Sequence, residues 1–257
     1  MLILMKKLQM LLAVSLAALT ACAGQTYRAD VGAMFAITNG DIALQNAGGS
    51  LDLGSNQNDL DSEMGVGDTE VSPYVRLQMD DKKHRVRVHG FGLDAEGSGT
   101  LVGDYGGIVA GSQVRTSMEF FALGAAYGYE VLRDKNYRVA LGGQLAFYKL
   151  DVGARANVGR EQVQTDVIVP MPFAEVEGFL GPVTVGVNAS FMSIDLGDAS
   201  GIYWDTEAYA RWQATKDFDV LCGYRYLLLD AYGTASSRDF DADLNVQGIF
   251  FSAGVKF

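Results

Sequence analysis

The chain has few of the residues that usually mark chemistry. It has two cysteines, two histidines and four prolines. Cys22 and Cys222 allow at most one disulfide, and none if Cys22 is lipidated or removed, so covalent staples do not hold this fold. His84 and His89 are the only histidines, which leaves little material for a histidine-dependent hydrolase. Pro170, Pro172 and Pro182 sit in one hairpin, and no proline-rich linker divides the chain. No run after residue 25 approaches 18 apolar residues, which excludes a transmembrane helix, and no run keeps a 3.6-residue period. Between Ala29 and Val75 there is no lysine or arginine. The net charge of −11, more negative once Lys6 and Lys7 are gone, excludes nucleic acid and general anion binding.

What is present begins with a leader. Lys6 and Lys7 precede an apolar run from Leu8 to Leu19, then small residues, which reads as an export signal over residues 1–22. Leu19-Thr20-Ala21-Cys22 has the form of a bacterial lipobox and makes Cys22 a lipidation candidate. Ala21-Cys22-Ala23 also fits ordinary signal cleavage, which would discard Cys22. The exported part, 23–257, is expected to be one domain. Its 31 glycines, 12 tyrosines and 13 phenylalanines suit strands and tight turns, and 49% hydrophobic residues without a helical span leave a secreted β-sandwich or an outer-membrane barrel.

Loop lengths separate these two. Short turns at residues 80–83, 133–136, 180–182 and 215–217 alternate with longer polar segments at 38–69, 96–113, 153–166, 195–202 and 231–243. Outer-membrane barrels show that asymmetry, and a sandwich has no reason to keep it. Four short turns, with both termini on their side, give ten strands: 26–37, 70–80, 83–95, 114–132, 135–152, 167–179, 182–194, 203–214, 217–230 and 244–257. Eight follow if the first or third is misread, and twelve if 99–110 forms a hairpin. The expected fold is all-β, a single up-and-down antiparallel transmembrane barrel. Trp204 and Trp212, eight residues apart on one face, are placed as an aromatic girdle at each interface.

The chain ends IFFSAGVKF, with Ile249, Phe251, Val255 and the terminal Phe257 on one face. This resembles the C-terminal assembly signal of the bacterial outer-membrane β-barrel superfamily. The sequence also resembles a group of small outer-membrane barrels with an acidic first loop, a His-Arg-hydrophobic third strand and a Gly-Tyr-Arg-Tyr-rich penultimate strand. The resemblance implies the fold, the outer membrane of a Gram-negative bacterium and the barrel-assembly machinery as a partner. It implies no activity.

Inward-facing charges are the candidate site. Arg76, Arg85, Arg87, His89 and Arg138 lie on early strands, and Glu175, Glu177, Asp205, Glu207, Arg211, Asp219 and Arg225 on later ones. Charges within a membrane must be paired or wet. They form a plug of ion pairs or a narrow polar conduit between a basic and an acidic wall. No serine stands two residues beyond either histidine, so the histidine-serine pattern of barrel deacylases and phospholipases is missing, and His84 reads as a solvated turn residue. Asp59, Asp61 and Glu63 in NQNDLDSEMG are candidate calcium ligands without the spacing of an EF-hand loop; a solvated loop is the simpler reading. The acidic loops, including Asp239, Asp241 and Asp243, suit divalent cations and metal-bridged lipopolysaccharide. The expected function is an integral outer-membrane barrel with a structural or surface-interaction role and an ion-paired, largely closed lumen, without cofactor or bound metal. A small channel for cations or polar solutes is second, and an enzyme acting on lipid or peptide third.

Overall fold

The computed structural model describes residues 25–46, 49–195, 200–235 and 237–257. The export signal and Cys22 lie outside the described residues.

The elements are β1 (Thr26–Leu44), a one-turn helix α1 (Leu53–Asn56), β2 (Gln57–Asp59), β3 (Glu70–Asp81), β4 (His84–Thr100), β5 (Gln113–Arg133), β6 (Tyr137–Ala156), β7 (Gly159–Leu180), β8 (Val183–Asp195), β9 (Ser200–Gln213), β10 (Phe218–Ala235) and β11 (Arg238–Lys256). β2 is a three-residue piece paired only with β1. The other ten strands pair antiparallel in chain order, and β11 closes the ring on β1. Closure leaves the sheet no edge at the level of the termini. There the Tyr27 N–H donates to the Phe257 carbonyl at 2.9 Å, and the Phe257 N–H returns to the Tyr27 carbonyl at 3.0 Å.

Strict alternation drives the wall. Along β5, Phe120, Ala122 and Ala126 are buried while Phe121, Leu123, Tyr127 and Tyr129 face out. Similar outward residues recur around the ring, among them Val31, Leu145, Ile168, Val187, Ile249 and Phe251, each half or more exposed. A soluble protein does not carry an apolar belt of this extent, and a bilayer requires one. Trp204 and Trp212 are both in the belt. Val255 and Phe257 also face outward.

The short turns lie with the termini at one rim, the periplasmic one by the asymmetry of such barrels. The opposite rim differs from the sequence expectation. Residues 153–166 and 231–243, expected as loops, are mostly strand, as are 38–44 and 96–100. Their outward residues turn polar above the lipid, but their inward residues, such as Ala154, Val163, Phe240 and Ala242, stay apolar and buried. A half-buried sheet is stable in water as well as in lipid, so the wall continues outward. The rest of the first two outer loops folds back over the mouth, burying Leu60, Met64, Val66, Leu101, Tyr105 and Ile108.

Two ladders stop short of the outer rim, each beside proline. β3 pairs with β4 from Asp81↔His84 up to Tyr74↔Phe91, and Pro73 follows. β7 pairs with β8 from Leu180↔Val183 up to Phe173↔Ser190, and above that β7 runs through Pro172 and Pro170 paired with β6 alone. Proline has no N–H to give a ladder. The first break is covered: the backbone of Glu63 and Gly65 lies directly on Gly99 and Gly97 of β4, where an added Cβ would collide with their carbonyls.

Candidate functional site

The alternation that makes the belt sends every second side chain into the lumen, and in the periplasmic half these are charged. Arg28, Arg76, Arg85, Arg87, Arg138, Arg211 and Arg225 meet Asp30, Asp80, Glu175, Glu177, Asp205, Glu207 and Asp219. Seven cations face seven anions, and each has a partner. All twelve charged or histidine side chains singled out from the sequence point inward. Eleven of them are buried, and Arg85 is 11% exposed on its side chain.

The pairs cross the lumen. Arg76 on β3 binds Glu207 on β9, and Tyr74 Oη donates to the same carboxylate at 3.1 Å. Arg87 on β4 binds Glu175 on β7. Arg85 reaches Glu175 at 2.8 Å and Glu177 at 2.7 Å, while Tyr209 donates to Glu177 at 2.6 Å. Arg211 makes a bidentate fork with Asp30 at 2.8 and 2.9 Å. Arg225 grips Asp205 at 3.0 and 2.8 Å, and Gln144 adds a third bond to Asp205 at 2.9 Å. Two glycines make room: a Cβ at Gly124 would meet His89 Nε2 at 2.6 Å, and one at Gly186 would meet the Tyr209 ring at 2.5 Å. The simple division into a basic early wall and an acidic late wall needs correction. Asp30 and Asp80 stand on β1 and β3, and Arg211 and Arg225 on β9 and β10, so cations and anions interleave.

Sequence reasoning missed Arg28, Asp30, Tyr74, Asp80, Gln144 and Tyr209. Tyr74 and Asp80 share parity with Arg76, and Tyr209 shares parity with Arg211, so the face was readable. Their role as partners was not.

Above this layer the lumen changes character. Arg225 lies 5.1 Å from the Phe91 ring, and Phe91, Phe120, Tyr148 and Tyr203 then pass across the barrel as successive ring contacts. The outer half is an apolar core, which the expectation of an ion-paired, largely closed lumen did not include. The first loop caps it. Asn56 Nδ2 donates to Asn46 Oδ1 at 3.0 Å, and Asn58 Oδ1 accepts from the N–H groups of Val102 and Gly103 at 3.1 and 3.0 Å. NQNDLDSEMG is thus a loop clamp. Asp59 accepts from Ser62, and Glu63 accepts from the Asp59 N–H at 2.9 Å, so both carboxylates close a turn. Among the described residues no group of three or more His, Cys, Asp or Glu is arranged for a metal ion. His84 is exposed beside the periplasmic turn, 2.8 Å from Tyr127 Oη. His89 Nε2 lies 3.7 Å from Asp205 inside the charged layer.

On the outer wall above the belt, Asp41, Asp243 and Asp230 stand side by side across three strands, with Asp241 next to them. Burial first, then the neighbouring carboxylates, raises Asp241 and Asp243 above the ordinary aspartate value.

No protein-family model matches the sequence, and no curated protein matches it. Among solved structures the chain is similar to the outer membrane protease OmpT from Escherichia coli, at 12% identity and a TM-score of 0.58, over 90% of this chain and 96% of that one. It is also matched to Ail, the attachment invasion locus protein of Yersinia pestis, at 11% identity and a TM-score of 0.35, over 91% and 99%. The first likeness concerns fold alone, and the second is too distant to carry weight.

Proposed function

We propose that the chain is a transmembrane β-barrel of the bacterial outer-membrane type, closed along its lumen and acting through its outer surface and not through a pore. The observation that carries this is the neutral charged layer. Its arginines and carboxylates are equal in number, they span the lumen from β3 to β9 and from β4 to β7, and the capped apolar core lies on top of them. An ion crossing would have to break buried pairs and then traverse a region lined mainly by apolar side chains. The reading is non-enzymatic. The likeness to a protease is one of fold, and both histidines lie in the periplasmic half, away from the exposed rim. Outer-membrane lipids, lipopolysaccharide and the assembly machinery are the partners that fit, with divalent cations at the acidic rim.

Planar-bilayer recording tests this. Folded protein, verified by its faster migration unboiled than boiled, should give no discrete conductance steps. Regular cation-selective steps would replace the closed barrel with the small-channel reading.

A further inference from the structure

Among the described residues, nine of the twelve arginines are in ion pairs. The three that are not stand side by side. Arg115 of β5 is opposite Arg155 of β6, and Arg155 is opposite Arg160 of β7. Residues paired in this way share a face, with Cα atoms about 4.5–5.5 Å apart, and like charges directly opposite destabilise a sheet. All three are exposed on the outer face of the wall. Gly153, one row below, leaves a notch beneath them: a Cβ there would stand 3.5 Å from Arg160 Nη2 and 3.3 Å from Ser117 Oγ. Glu96, Glu119 and Asp151 share this face but stand lower. Glu119 lies 3.9 Å from Lys149, and Asp151 accepts from Gln162 at 2.6 Å. Beside the row is an open groove of about 630 Å³, between Ser98 and Thr100 of β4, Gln113 and Arg115 of β5, and Arg155 and Asn157. That volume is within the range of small-molecule sites. None of its lining residues is acidic.

Height selects the kind of anion. On these strands the belt ends at Phe121 and Ile168, both exposed on the lipid side. Arg115 is six residues above Phe121 and Arg160 eight above Ile168. At a tilt of about 40° that is a rise of about 15–20 Å. Phospholipid headgroups fill only about 5–8 Å on each side of the hydrocarbon, half the difference between ~30 and ~40–45 Å. A phospholipid headgroup therefore stays below the row, and a sugar chain anchored in the outer leaflet reaches it. We propose that Arg115, Arg155 and Arg160 bind the phosphate groups on the sugar chain of lipopolysaccharide, with a sugar unit seated in the adjoining groove. The proposal rests on the reading of a barrel that acts through its outer surface, and gives that surface a ligand. Guanidinium groups take phosphate oxygens through paired N–H donors. A polyanion shared by three of them also relieves their mutual repulsion. The site is local despite the net charge of −11, because the aspartate cluster of Asp41, Asp230, Asp241 and Asp243 is on β1, β10 and β11, across the ring from β5 to β7.

The test titrates fluorescently labelled lipopolysaccharide onto the folded protein in uncharged detergent, with unboiled mobility as the check on each variant. Arg115→Gln, Arg155→Gln and Arg160→Gln together should weaken binding about tenfold or more, and raised salt should weaken the original protein more than the triple variant. Arg133→Gln, an exposed arginine at the periplasmic rim, should leave binding unchanged. Removing the phosphates from the sugar chain should cost the original protein about the same tenfold and the triple variant little. The lipid portion alone, without its sugar chain, should bind both proteins alike. Equal binding of the whole glycolipid by the triple variant overturns the site, as does an equal loss in Arg133→Gln, which would reduce the effect to bulk charge. A loss on the lipid portion as large as on the whole glycolipid would place the contact at the membrane surface, against the proposal. The soluble phosphorylated sugar chain binding as tightly as the whole glycolipid would make the ligand a free polyanion, and a triple variant that changes only the sedimentation of the barrel would assign the row to a second copy. Bilayer recording stays silent whether or not this site is real, so its failure and that of the closed-barrel reading are told apart.

Discussion

Glu207 gathers Arg76 and Tyr74 from β3 and Asn188 from β8, all of them buried. A buried pair of this kind adds little net stability, but removing one partner strands the other. Glu207→Ala should therefore cost about 3–5 kcal/mol, read as a lower urea midpoint for the compact form on unboiled gels. Arg76→Met combined with Glu207→Met should recover most of that loss, because the stranded charge goes with its partner. At this scale the sequence is readable in part. Parity shows which charges face inward, since a two-residue period leaves only two faces. Partnership is invisible: Arg76 and Glu207 are 131 residues apart, and hydroxyl donors such as Tyr209 look like ordinary aromatic strand residues.

The strands and loops have consequences of their own. Gly97 and Gly99 accept the backbone of the first loop at contact distance, so Gly97→Val should lift that loop off β4. Faster trypsin-independent cleavage of residues 60–69 by a broad-specificity protease, with unchanged unboiled mobility, is the expected result. The aspartates on β10 and β11 predict a pH effect. Because burial and like charge raise Asp241 and Asp243, the folded state binds protons there more readily than the unfolded chain. Their contribution is therefore most favourable at low pH and is lost as pH rises through the raised values. Asp243→Asn should flatten that part of the profile, with thermal midpoints taken from pH 3.5 to 6 as the readout. The short turns and long strands follow from the sequence because charged turn clusters punctuate alternating runs. The continuation of strand through 153–166 and 231–243 does not, because polarity on the outer face resembles loop when the apolar inner face is sparse, as at Ala154 and Ala242.

The whole barrel is two materials stacked along one axis: a neutral charged layer at the periplasmic end and an apolar core at the outer end. Ring closure, strand number and outward belt all follow from alternation plus loop asymmetry. The apolar upper core was hidden because its members come from every strand and from the folded-back loops, so no local stretch displays it. The interruption between β7 and β8 bears on the mechanics of the cylinder. A hoop with every joint fastened resists being squeezed into an ellipse, while one slit partway down a seam yields at the slit end. The periplasmic end should behave as the first kind and the outer end as the second, ovalising along the diameter through β7 and β8 under lateral pressure from the surrounding lipid. Amide hydrogen exchange along 191–194 and the facing part of β7 should then outpace that of Phe173–Leu180 by orders of magnitude, and should slow when lateral pressure is relieved by transfer from bilayer to detergent.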